Sequence, residues 1–186
     1  MLERGRHHMA EKERIAAAAA AMVRDGDSLM IEAGTTTALV MKGLSERQGI
    51  QVVTNSTLAI PAARLNGGLR LIITGGQFHH ETESFTGAQV LATLNAYNVR
   101  LAFVGTDGFT AERGLTTQFT EGADAIRTMR DRADETWLLA DSSKYGRVGF
   151  ASVLGLSEVT GVITDSGMGE EPVEALRGLG VQVLVV

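Results

Sequence analysis

Gly34, Thr35 and Thr36 follow the apolar run Leu29-Met30-Ile31 and lead into a stretch with helical spacing through Leu39, Val40 and Leu44. A strand that empties through glycine and threonine into a helix leaves the first backbone N–H groups of that helix without intrahelical acceptors, so an anion is their natural guest. Gly34 lets the backbone turn tightly and approach a ligand with no Cβ in the way, the threonine hydroxyls add donors, and Thr35 or Thr36 is placed to cap the helix. A phosphate group fits this chemistry. An ordinary strand-to-helix turn closed by a threonine cap fits the same residues, and the loop alone leaves both open.

Small polar or acidic residues recur at other strand ends: Thr54-Asn55-Ser56, Gly75-Gly76, Asp107-Gly108, Asp141-Ser142 and Asp165. In a parallel sheet these ends share one rim, which is where open α/β folds bind ligands. Thr54, Asn55 and Ser56 cap the following helix, offer atoms to a ligand, or do both. Asp107 and Asp141 are acceptors suited to sugar hydroxyls, although acceptors at helix starts need no ligand. Lys144, a few residues past a strand end, brings an ammonium that pairs with phosphate or carboxylate, and Arg147 is a second cation unless it is simply solvated. Glu121 acts as a base, holds a hydroxyl, or sits at a helix start where the dipole favours a carboxylate anyway. His79 and His80 lie among acids without the further ligands that a metal site needs, so they read as surface residues, and neither metal nor cofactor is expected. No Walker loop, dinucleotide-binding glycine fingerprint or nucleophile elbow occurs.

The elements that must hold these residues alternate along the chain. Helical patterns cover 11–23, 36–44, 56–65, 88–96, 121–132 and 170–179; strand-like runs cover 29–33, 50–53, 69–74, 100–105, 136–140, 162–164 and 181–186. This alternation predicts an α/β fold with a mainly parallel sheet flanked by helices. Residues 75–87 form a small polar excursion or short strand, and 109–119, rich in glycine and threonine, reads as a long loop.

The 186 residues suit one domain with a sizeable core. A net charge of −5 argues against a nucleic-acid surface on this segment. The lack of cysteine excludes disulfides, thiolate nucleophiles and zinc–cysteine sites, and is compatible with a reducing cytoplasm. No run has the length of a signal-peptide core or a membrane span. Residues 1–10 are expected to be a linker or cloning remnant, and 11–186 the domain.

In this order and spacing, the chain resembles the C-terminal effector-sensing domain of the DeoR family of bacterial transcriptional regulators. The likeness is carried by Asp25-Gly26-Asp27, Glu32-Ala33-Gly34-Thr35-Thr36, Val53-Thr54-Asn55-Ser56, Gly75-Gly76, Val104-Gly105-Thr106-Asp107-Gly108, Gly114-Leu115-Thr116-Thr117, Ala140-Asp141-Ser142-Ser143-Lys144 and Ile163-Thr164-Asp165. It implies the fold of ribose-5-phosphate isomerase and a pocket for a phosphorylated sugar or similar metabolite. Gly34, Thr35 and Thr36 would hold the phosphate, Asn55, Asp107 and Glu121 would line the sugar side, and Lys144 would supply positive charge. Thr54, Ser56, Gly75, Gly76, Gly108 and Asp141 complete the expected effector site. In full-length members a winged helix-turn-helix precedes this domain and binds operator DNA; these residues do not carry it. A homo-oligomer is expected of such a regulator. The rival is an aldose–ketose isomerase of the same fold, with Glu121, Asp107 and Lys144 as its carboxylates and cation, although Ala111-Glu112-Arg113-Gly114-Leu115 does not reproduce the isomerases' glycine-rich loop with its added lysine. A purely structural oligomerisation domain would leave the polar rim without purpose.

Overall fold

A computed structural model describes residues 7–186. Helix α1 (Met9–Ala21) leads to β1 (Ser28–Ile31), α2 (Thr35–Val40), a 3-10 turn (Met41–Leu44), β2 (Ile50–Thr54), α3 (Ala59–Ala63) and β3 (Leu69–Ile73). A hairpin of β4 (Gln77–His79) and β5 (Ser84–Thr86) precedes α4 (Ala88–Asn95) and β6 (Val99–Val104). Then come β7 (Gly108–Thr110), β8 (Gly114–Thr117), α5 (Thr120–Asp131), β9 (Ala133–Leu139), β10 (Ala151–Leu154), β11 (Gly161–Thr164), α6 (Glu170–Gly178) and β12 (Gln182–Val185).

Seven strands form one parallel sheet in the order β12-β11-β9-β6-β1-β2-β3. Side chains alternate between its faces, and both faces are apolar because helices cover both. Leu29, Ile31, Leu101 and Phe103 point to the face covered by α1 and α2, where they pack with Ile15, Ala16 and Ala19. Met30, Ala102 and Val104 point to the opposite face and meet Val90 and Leu94 of α4, Ile126 and Met129 of α5 and Leu176 of α6. The alanines of α1 let that helix lie close to its neighbours: a Cβ added at Gly43 would come within 2.5 Å of Ala20 Cβ.

At the N-terminal edge of the sheet, Arg100 Nε donates to Asp27 Oδ1 at 2.8 Å and its guanidinium also reaches Asp27 Oδ2 and Met22 O. This pair ties the turn after α1 to β6, and the hydrogen bond from Arg100 holds the Asp27 carboxyl below its ordinary range.

Two local expectations change, and a third takes definite form. Residues 109–119 are no loop: β7 and β8 pair as an antiparallel hairpin, and β10 joins β8 as a third strand from a stretch without a clear sequence pattern. The helix expected over 56–65 shrinks to the five residues of α3, because Ser56 is drawn into a bridge with Ser84 instead. The 75–87 excursion is the β4–β5 hairpin, whose pairing runs from Gln77 opposite Thr86 to His79 opposite Ser84. Of the expected N-terminal linker, residues 1–6 lie outside the described residues, and α1 already begins at Met9.

Candidate functional site

The C-terminal ends of β9, β6, β1 and β2 are neighbours, so Asp141, Asp107, Glu32 and Asn55, which follow those ends, share one edge of the sheet. Above them opens a cavity of about 750 Å³, within the range of small-molecule sites. Gly34, Thr35, Thr36, Asn55, Asp107, Glu121, Asp141 and Lys144 all line it. Eight of the expected residues therefore meet in one place.

Their local roles differ from expectation in several cases. Gly34 is the residue before α2, and its N–H donates to Thr37 Oγ1 at 2.8 Å while that hydroxyl donates to Glu32 O at 2.7 Å. Thr37, not Thr35 or Thr36, closes the helix start, since its hydroxyl reaches back to Gly34. This leaves the Thr35 and Thr36 hydroxyls with the cavity. The first N–H groups of α2 lack intrahelical acceptors, but the helix is only six residues long, so what the loop presents to the cavity is local donors rather than a large dipole. Asn55 is committed to the scaffold: Oδ1 accepts from Ala33 N–H at 3.2 Å and Nδ2 donates to Phe85 O at 3.2 Å, which ties the Gly34 loop to the β4–β5 hairpin.

Asp141 is buried, and Oδ1 accepts from Ser143 N–H at 3.2 Å and from the Ser143 hydroxyl. From the next strand end, Asp165 accepts from Ser142 N–H at 2.6 Å and Ser142 Oγ at 2.9 Å. Two carboxylates thus hold the turn that presents half-buried Lys144 to the cavity. Asp107 Oδ2 accepts from Thr117 Oγ1 at 3.0 Å and Gln118 N–H at 2.8 Å, linking the end of β6 to that of β8. Glu121 is exposed at the rim, where its own backbone N–H and the Thr120 hydroxyl hold its carboxyl below the usual range.

Five expected residues lie outside the cavity lining. Thr54 is buried with Oγ1 bonded to Ile31 O and to Ser56 N–H, and Ser56 Oγ accepts from Leu58 N–H at 3.2 Å. Gly75 and Gly76 take the left-handed backbone that starts the hairpin, and a Cβ at Gly76 would come within 2.7 Å of Thr86 O. Gly108 admits the chain that follows Lys144: a Cβ there would meet Arg147 O at 2.4 Å.

Further residues outside the expected effector site also line the cavity. Lys12 is 4% exposed yet lines the cavity, placed there by the face of α1 that also buries Ile15, Ala16 and Ala19. Lysine on the apolar side of a helix was the signal. Glu32 is the residue immediately after β1, and burial pushes its carboxyl up to about 7, opposed by Gly105 N–H and reinforced by the charge of Asp107. Its position at a strand end, like that of Asp107, was the clue. His79 is no simple surface residue: the hairpin folds it against Phe119, with ring centroids 6.0 Å apart, and into the cavity wall. Arg147 also lines the cavity, as an exposed residue.

An open parallel α/β sheet with a polar, metabolite-sized cavity at its C-terminal edge defines a small-molecule-binding domain. The family model of the DeoR C terminal sensor domain matches residues 7–166, and the chain belongs to that family. It is 33% identical over 99% of its length to an uncharacterized HTH-type transcriptional regulator, YulB, of Bacillus subtilis (strain 168), covering 71% of that protein. It is 28% identical over 95% of its length to a putative aga operon transcriptional repressor of Escherichia coli O157:H7, covering 66% of it. The chain thus spans about two thirds of the length of these relatives. The fold is that of ribose 5-phosphate isomerase A from Methanocaldococcus jannaschii, with a TM-score of 0.52, 21% identity, and coverage of 72% of this chain and 53% of that one. The domain is a ligand-sensing unit of a regulator family.

Proposed function

We propose that the cavity takes a phosphorylated sugar or a closely related metabolite, and that occupancy controls DNA binding by a helix-turn-helix module elsewhere in the full-length protein. One observation carries this reading: the Gly34-Thr35-Thr36 loop shares a single cavity with Lys12 and Lys144, while Glu32 and Asp107 line the same space. Cations and loop donors match a phosphate, and acceptors match hydroxyls. A ligand that binds one arrangement of the domain better than another shifts the balance between them. A coupling of about 1–3 kcal/mol changes operator affinity several-fold to more than a hundredfold. We place such a regulator, a homo-oligomer, in the cytoplasm with its operator.

Sensing rather than catalysis is supported by how the candidate catalytic groups are used. Asp107 Oδ2 is bonded to the Thr117 hydroxyl and Gln118 N–H, and Glu121 is an exposed carboxylate whose lowered proton affinity makes it a weak base. Calorimetric titration with sugar phosphates and their unphosphorylated counterparts tests the reading. Binding is expected only with the phosphorylated set, and Lys12→Met and Lys144→Met should each weaken it about tenfold or more. Equal binding of both sets overturns the phosphate seat. Conversion of ribose 5-phosphate to its ketose, abolished by Glu121→Gln, would overturn the sensor assignment.

A further inference from the structure

Glu32 stands out from the other acids of the cavity by the way it is held. Its backbone N–H donates to Phe103 O at 3.0 Å, which fixes it beside the end of β6. Its Oε2 accepts from Gly105 N–H at 3.2 Å. The carboxyl group lies between two glycines: a Cβ built on Gly34 or on Gly105 would stand 3.1 Å from Oε2. Side chains at those positions would press on the group, so their absence makes a slot of its shape. Oε1 makes no hydrogen bond to any described residue and is left to the cavity that Glu32 lines. Asp107, on the neighbouring strand end, adds a second negative charge close enough to raise the proton affinity of Glu32.

An ionised carboxylate accepts hydrogen bonds and donates none. Held in the slot by Gly105 N–H, it rewards a ligand hydroxyl and repels a ligand carboxylate, and the charge of Asp107 adds to the repulsion. We propose that Glu32 sets the ligand class of this site, accepting a hydroxyl of a neutral polyol tail and turning away phosphorylated ligands whose tail ends in a carboxylate. The inference rests on the phosphate reading of the cavity. It goes further by choosing sugar phosphates over sugar-acid phosphates and by naming the residue that chooses.

Two matched pairs test it by calorimetric titration at about pH 8, where Glu32 is ionised: ribose 5-phosphate against the corresponding phosphoribonate, and glucose 6-phosphate against 6-phosphogluconate. In the wild-type domain the sugar phosphate of at least one pair is expected to bind about tenfold or more tightly than its acid. Glu32→Gln keeps an acceptor for Gly105 N–H and removes the charge, so it should reduce that preference to about threefold or less. A wild-type ratio near one, or a ratio unchanged in Glu32→Gln, overturns the assignment to Glu32 and leaves the phosphate seat standing. If no phosphate ester binds, or the unphosphorylated sugars bind equally well, the phosphate reading fails and this inference falls with it. Should Glu32→Gln not fold, Asp107→Asn replaces it: a lowered ratio supports the repulsive wall, and an unchanged one overturns it.

Discussion

Glu32→Gln should make the domain's stability less sensitive to pH between about 5 and 8, and the direction follows from the carboxyl's surroundings. Burial raises its proton affinity from an ordinary value of 4.5 to about 7. The folded protein therefore holds this proton more tightly than the unfolded chain does. The associated stability is full below about pH 4.5 and is lost as pH rises through about 7. A difference of about 2.5 pH units, at roughly 1.4 kcal/mol each, sets a ceiling of about 3–4 kcal/mol. Glu32 as a whole keeps part of its surface exposed and lines a water-accessible cavity, which reduces the expected effect to about 1–2 kcal/mol. Urea unfolding of the wild type and the variant across this range measures it, with the slope checked for constancy. Relative to Glu32→Gln, the wild type should lose about 1–2 kcal/mol on going from about pH 5 to about pH 8. Parallel profiles, or a wild type that gains on the variant as pH rises, would refute the account of a desolvated acid held for its chemistry at a cost in stability.

Thr37→Val preserves shape but removes the acceptor of Gly34 N–H and the donor to Glu32 O. A loss of about 1–2 kcal/mol in urea unfolding is expected, and a change within experimental error would show that Thr37 is not the closing residue. Gly161→Ala puts a Cβ 2.4 Å from the Trp137 ring and 2.8 Å from Gln182 O; about 2–3 kcal/mol should be lost, and an unchanged urea midpoint would contradict the close packing of β11. Arg100→Met breaks the pair with Asp27, whose side chains are 26% and 11% exposed, and should cost about 1–2 kcal/mol at neutral pH. Because Asp27's carboxyl is held below its ordinary value of 3.8, that cost should disappear as pH falls through and below this range. A cost that persists at about pH 2 would assign it to lost packing rather than to the ion pair.

The sheet was readable because buried parallel strands are apolar on both faces and their ends are marked by glycine, threonine and aspartate, as at Ile31-Glu32-Ala33-Gly34 and Val104-Gly105-Thr106-Asp107. The hairpin of β7 and β8 escaped notice because its short strands, Gly108–Thr110 and Gly114–Thr117, carry glycine and threonine in place of an alternating apolar pattern. Its pairing depends on β10, more than thirty residues further on, and on the Thr116 hydroxyl, which donates to Gly108 O and accepts from Gly149 N–H. Such long-range partners leave no local period. At the site, one rule based on strand ends found Gly34, Asn55, Asp107 and Asp141 but also admitted Thr54, Ser56 and Gly108, because a residue's place on the rim does not tell which way it faces. Lys12 lay outside that rule altogether. Only the packing of α1 over the sheet carries it to the cavity.

The four corners of the cavity floor follow the ends of separate strands, at positions 32, 55, 107 and 141, and each is anchored by its own bonds. No peptide cut from this chain retains the receptor, since the corners meet only after most of the sequence has assembled. The same separation makes the receptor easy to retune. A single substitution at one corner changes what that corner reads while the other three and the helices on the two faces of the sheet stay in place, so one scaffold can pass through many ligand preferences in small steps.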